Sequence, residues 1–224
     1  MFPLRDTQPN YTRPVVTIGL IVVNLLIFLF EFSLGGRNLS VFIETFGLVP
    51  DRLRLTSVVT SMFLHGSWMH VLGNMWFLWI FGDNVEDVLG HLRYLLFYLL
   101  CGVAAAVTHI VFNLYSPLPT VGASGAVAGV MGAYIVRFPR ARILTLVFLL
   151  FFITTVEVPA VIMLAYWFLL QVFSGLGSIG RTQFTAEGGG VAWFAHVGGF
   201  IAGAVLIKLM APSQRRWEHH DLHG

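Results

Sequence analysis

A chain of 224 residues with 57% hydrophobic and only 11% charged side chains is too apolar for a water-soluble domain, in which about 25% of residues are charged. Its mean hydropathy of +0.80 makes a lipid bilayer the solvent for most of the molecule. The net charge of +2 is scattered at the ends of apolar runs and forms no nucleic-acid footprint, and the lone Cys101 excludes an intramolecular disulfide.

The first apolar run, residues 15–32, follows Arg5 and Arg13 in the manner of a secretory leader. It is longer than the roughly 7–15 apolar residues of such a leader and lacks a small-x-small end, so it is expected to remain as a first span. Further runs at 68–81, 94–112, 123–138, 158–173 and 191–210 bring the count to six. The predicted fold is therefore all-α: a polytopic six-transmembrane-helix bundle forming one domain over 1–224, with a core of about 14–210 and short tails. The second and fourth runs are short; the second can extend back through 55–64, a stretch expected to be a partly embedded loop. The stretch 143–155 fits either an interfacial piece or an extended fifth helix.

Six crossings with a cytoplasmic N-terminus place Arg5, Arg13, Arg93, Arg137, Arg140, Arg142, Lys208, Arg215 and Arg216 inside. Only Arg37, Arg52, Arg54 and Arg181 then lie outside, the bias expected when both termini are cytoplasmic. The second, fourth and sixth spans then all start in the outer leaflet. Near those starts lie His70, Ser124 and His196, so three polar groups remote in sequence are expected at one depth.

Gly122-Ala123-Ser124-Gly125 follows the turn-rich stretch 116–120, so a helix should begin near Ser124. A serine there faces the free amides of a helix N-terminus, which suit an oxyanion on an acyl carbon. The same tetrapeptide also reads as an N-cap serine followed by packing glycines. Ala195-His196-Val197-Gly198-Gly199, with Gly203 further on, puts an ionisable ring inside a span, a costly and therefore functional placement. His196, Gly199 and Gly203 share one helical face, and Gly125, Gly129 and Gly132 line a small-residue face on the fourth span. Packing of the two faces would bring the imidazole to the serine, where it could act as general base and acid. A histidine satisfied by a neighbouring carbonyl is the alternative. His70 and Asn74, one turn apart, could both donate hydrogen bonds to developing charge. A metal held by His65 and His70 is disfavoured, because Asn74 is a weak ligand and no carboxylate joins them.

Taken together, these motifs resemble the rhomboid family of intramembrane serine proteases. The matching pieces are His70 and Asn74 in His-x-x-x-Asn, Ser124 in Gly-x-Ser-Gly, His196 in Ala-His-x-Gly-Gly, and the stretch 82–90 followed by Arg93-Tyr94. The resemblance covers about residues 14–210. It implies a Ser124–His196 dyad in a water-filled cavity open to the outer side, with His70, Asn74 and the Ser124 amide as oxyanion hole. It also implies single-span membrane proteins as substrates, no metal or organic cofactor, no nucleic-acid partner, and, in a minimal form such as this, a prokaryotic plasma membrane. Two positions depart from the family pattern. Ala128 stands where some members carry an aromatic residue that stacks on the base, which leaves Phe200 or Trp167 as substitutes. Leu53-Arg54 stands where some carry Trp-Arg, so contacts with lipid there should differ.

Other polar residues read as structural. Glu86 and Asp87 are expected to hold a loop or pair with Arg93, Asn24 to bond between helices, and His109 either to pack or to sit at the lipid interface. Glu31, at the outer end of the first span, could orient His196 as a third member. The tail His219-His220-Asp221-Leu222-His223 reads as a solvated end. An inactive relative that escorts membrane clients, or a small transporter, would account for the hydropathy as well. Both dyad residues are present, against the first; in-span carboxylates at a midplane site are missing, against the second.

Overall fold

Long unbroken runs of Leu, Ile, Val and Phe leave the backbone no partner but itself in lipid, so they fold as helices. The computed structural model describes residues 2–149, 152–178 and 192–212. Its eight helices are α1 (Val15–Leu34), α2 (Gly36–Phe46), α3 (Ser57–Thr60), α4 (Trp68–Leu89), α5 (His91–Phe112), α6 (Ser124–Arg137), α7 (Ala160–Ser178) and α8 (Trp193–Met210). Four of them, α1, α5, α7 and α8, are long and apolar enough to cross a membrane by length and composition. The helix α4 carries Asp83, Glu86 and Asp87 in its last turns, and α6 has only 14 residues. The expected six-helix frame is present; its fourth member is nearly enclosed by protein, whereas the second leaves Met69, Leu72 and Trp79 exposed. Most of α6 is buried, from Gly125 to Tyr134.

The fold is not purely helical. A three-stranded antiparallel sheet, β1 (Phe2–Asp6), β2 (Arg142–Leu149) and β3 (Phe152–Pro159), is ordered β1-β2-β3. Arg142 pairs with Pro159 and Leu149 with Phe152 in the hairpin, while Asp6 of β1 pairs with Ile143. The stretch read as an interfacial piece or helix extension is this hairpin. Its Val, Ile and Thr residues favour the pleated conformation, and β1 supplies an edge partner from the far end of the chain. The Trp76 indole N–H donates to the Pro3 carbonyl at 2.7 Å, tying the sheet to α4.

A second correction concerns residues 82–90. Rather than an inner loop, all but Gly90 form the last turns of α4. Glu86 is wholly buried and accepts the Val16 and Thr17 amides, both at 2.8 Å, at the start of α1. A carboxylate at a helix N-terminus satisfies orphan amides and complements the dipole. Asp87 accepts the Tyr11 amide and the Thr12 hydroxyl, so both acids hold the segment leading into α1, the first of the two expected roles, rather than pairing with Arg93. Asn24 bonds back to Leu20 O in its own helix rather than across helices.

The packing that matters for the site is that of α6 against α8. A Cβ built on Gly199 would collide with the Gly125 carbonyl, and one on Gly203 with the Gly129 carbonyl. On the other flank of α6, Gly125 faces Ala105 and Gly129 faces the buried Cys101 of α5. Small residues thus let three helices meet almost backbone to backbone, the arrangement that maximises dispersion contact where apolar burial adds little.

Candidate active site

The starts of α4, α6 and α8 lie at one end of the bundle. Gly122 makes the entry to α6 possible: its φ of +133° lies in the region that favours glycine, and a Cβ there would strike the His70 ring. Its amide donates to Ser61 O at 2.9 Å. Two further backbone bonds between Leu48 and Thr120, 2.8 and 2.9 Å, fasten the approaching loop. Ala123 occupies the cap position and makes no side-chain cap bond, so the Ser124 hydroxyl is not the N-cap of the alternative reading.

That hydroxyl lies instead 2.8 Å from His196 Nε2. His196 is the fourth residue of α8, buried at 8% exposure, and stands one turn before Gly199 on the seam with α6. The other ring nitrogen, Nδ1, is 2.6 Å from Oε1 of Gln171 on α7. Trp167, one turn earlier on the same face of α7, lies beside the imidazole with ring centroids 5.7 Å apart and planes tilted by 38°. Trp193 meets it edge-on at 6.5 Å. Of the two aromatic substitutes for an aromatic at Ala128, Trp167 borders the ring, and Phe200 packs behind it against Trp167 and Phe168.

Ser124, His196, His70 and Asn74 all line one cavity of about 690 Å³, with Trp167, Val127, Met131 and Phe77 among its apolar walls. Ser67 caps α4 by accepting the His70 amide at 3.2 Å, which fixes the first turn with His70, one turn before Asn74. The buried Asn74 Nδ2 has no hydrogen-bond partner. An amide N–H left unpaired in such a place is costly unless something accepts it. Asn74 is also one of the residues that line the cavity shared by Ser124 and His196.

The remaining polar candidates lie elsewhere. Glu31 accepts the His65 amide at 3.1 Å and does not reach His196, so it anchors the loop before α4 instead of completing a triad. His65 and His70 meet edge to face at 5.2 Å, and among the described residues no group of three His, Cys, Asp or Glu could hold a metal. His109 is buried, with Nε2 2.8 Å from the Thr120 hydroxyl, and so braces the loop before Ser124 rather than facing lipid. Arg54 donates to Thr45 O at 3.3 Å. The histidine-rich tail lies outside the described residues. Gln171 was missed by sequence reasoning. Its only signal is an amide inside an apolar span, four residues after a tryptophan.

A family model described as the Rhomboid domain matches residues 52–213. Rhomboid protease GluP of Bacillus subtilis (strain 168) is 30% identical over 208 residues, which cover 90% of this chain and 36% of that protein. RHOMBOID-like protein 6, mitochondrial, of Arabidopsis thaliana is 31% identical over 166 residues, 72% of this chain and 46% of that protein. Rhomboid-like protein 11, chloroplastic, of the same plant is 29% identical over 212 residues, covering 92% and 69%. The chain thus spans less than half the length of the first two relatives.

Proposed function

Since the chain belongs to the rhomboid family and is an integral membrane protein, we propose that it is an intramembrane serine endopeptidase with Ser124 as nucleophile and His196 as general base. One observation carries this reading: the 2.8 Å contact between Ser124 Oγ and His196 Nε2 at the wall of a cavity. Neutral imidazole takes the hydroxyl proton as Oγ attacks the scissile carbonyl, then returns it to the leaving amine. Water deacylates the serine by the same route in reverse. The charge that builds on the carbonyl oxygen is received by Asn74 Nδ2, the His70 ring and the Ser124 amide.

Substrates on this reading are single-span membrane proteins, cut where the helix unwinds. A helical carbonyl is already bonded to an amide one turn on, and opening that bond in lipid is costly, so a wet cavity is where it can occur. The excess of Lys and Arg on one side supports cytoplasmic termini with the cavity toward the outer side.

The test uses the protein in liposomes with a labelled single-span substrate. Cleavage should be abolished in Ser124→Ala and in His196→Ala and be indifferent to EDTA. Undiminished cleavage in Ser124→Ala would overturn the assignment.

A further inference from the structure

An imidazole can act as base toward Ser124 only in the tautomer that leaves Nε2 unprotonated. Gln171 Oε1 stands 2.6 Å from Nδ1, and an amide oxygen can only accept. The hydrogen is therefore on Nδ1, and Nε2 presents its lone pair to the Ser124 hydroxyl. We propose that Gln171 is a positioning residue that selects this tautomer and holds the ring plane, so that the base has a third partner in an uncharged amide. The inference rests on the protease reading and deepens it.

Three observations carry it beyond a chance contact. Gln171 is itself buried, at 7% exposure, in the otherwise apolar helix α7. Burying an amide there is unfavourable unless it is hydrogen-bonded, and its oxygen is engaged by His196. Trp167, one helical turn earlier, borders the same ring, so a single face of α7 fixes both the edge and the side of the imidazole. Finally, the carboxylate considered as a charged third member, Glu31, is committed to the His65 amide. A neutral acceptor suits this depth, since a carboxylate would have to be buried with its charge.

The experiment uses the full chain. Gln171→Met keeps length and approximate volume but offers no acceptor oxygen; Gln171→Glu keeps the oxygen. In the methionine variant kcat should fall about tenfold or more, with KM within about twofold and an unchanged unfolding temperature. Labelling of Ser124 by a fluorophosphonate should slow in parallel. The glutamate variant should retain more activity than the methionine one. Imidazole ¹⁵N spectra, with the His196 signals identified by their loss in His196→Ala, should show Nε2 unprotonated in the parent and a mixture of tautomers in Gln171→Met. Unchanged kcat in Gln171→Met, or an unchanged tautomer, overturns the proposal; so does an equal loss in both variants accompanied by an equal fall in stability. The spectra read the tautomer whether or not the chain cleaves anything, which separates failure here from failure of the protease reading.

Discussion

Gly199 rests against the carbonyl of Gly125 with no space for a methyl group between them. The contact lies next to Ser124 on α6 and one turn from His196 on α8, so the distance between hydroxyl and imidazole is set by backbone meeting backbone. At this contact, and again at Gly203 against the Gly129 carbonyl, backbone meets backbone.

Gly199→Ala should therefore separate the two helices. Overpacking a filled interior so that backbone has to shift typically costs about 1–3 kcal/mol. Reduced thermal stability and lost fluorophosphonate labelling of Ser124 are the expected outcome. Gly19→Ala on α1, where nothing lies within 4 Å of the added carbon, is the control and should be neutral or slightly stabilising.

Asn74→Ala removes a donor that has no partner in the resting site. Its effect should appear in kcat, by roughly 10²–10³-fold, with KM and unfolding temperature little changed. Steady-state kinetics in detergent would check this. A variant that instead lost stability would mark Asn74 as a packing residue.

Glu86→Ala should destabilise the chain by about 2–4 kcal/mol, because one buried and one part-buried amide at the start of α1 lose their acceptor at once. Glu86→Gln, keeping one oxygen, should cost less. Thermal unfolding followed by circular dichroism orders the three proteins.

Asp6 of β1, which accepts the Tyr134 hydroxyl, has its carboxyl pushed up to about 6 by burial, with Asp83 adding to the rise and the Tyr134 bond opposing it. The folded form then holds a proton that the unfolded chain releases near pH 4. That contribution to stability is present below about pH 4 and is lost as the pH rises through about 6. Asp6→Asn should flatten this part of the stability profile, as read from unfolding temperatures between pH 4 and 7.

Much of the site is legible in the amino-acid sequence, because its parts announce themselves in short spacings. His70 with Asn74, and His196 with Gly199 and Gly203, are one-turn patterns, and helical geometry converts them directly into faces. The glycine-rich face of α6 likewise points to its own partner. What escapes are pairings whose two halves share no spacing. Gln171 and His196 are 25 residues apart on different helices, and nothing in the α7 sequence says which way the amide points. Glu86 is 70 residues from the Val16 amide it accepts, so its role in starting α1 is visible only once α1 and α4 are side by side. The sheet escapes for a different reason. The β-branched residues of β3, such as Thr154, Thr155, Val156 and Val158, carry a strand signal, but hydropathy alone reads them as membrane-embedded. The partner that completes the sheet comes from residues 2–6, more than 130 positions away.

The 14 residues of α6 also act as a ruler. At 1.5 Å per residue the helix rises about 21 Å, against roughly 30 Å for the hydrocarbon slab. With Arg137 at one headgroup layer, the hydroxyl at the other end stops roughly 10 Å short of the opposite one. On the protease reading proposed above, a scissile bond has to come down to that level to be attacked, which ties the point of incision to the thickness of the surrounding lipid as well as to the client's sequence. That reading then predicts a shifted point of incision between thin and thick bilayers.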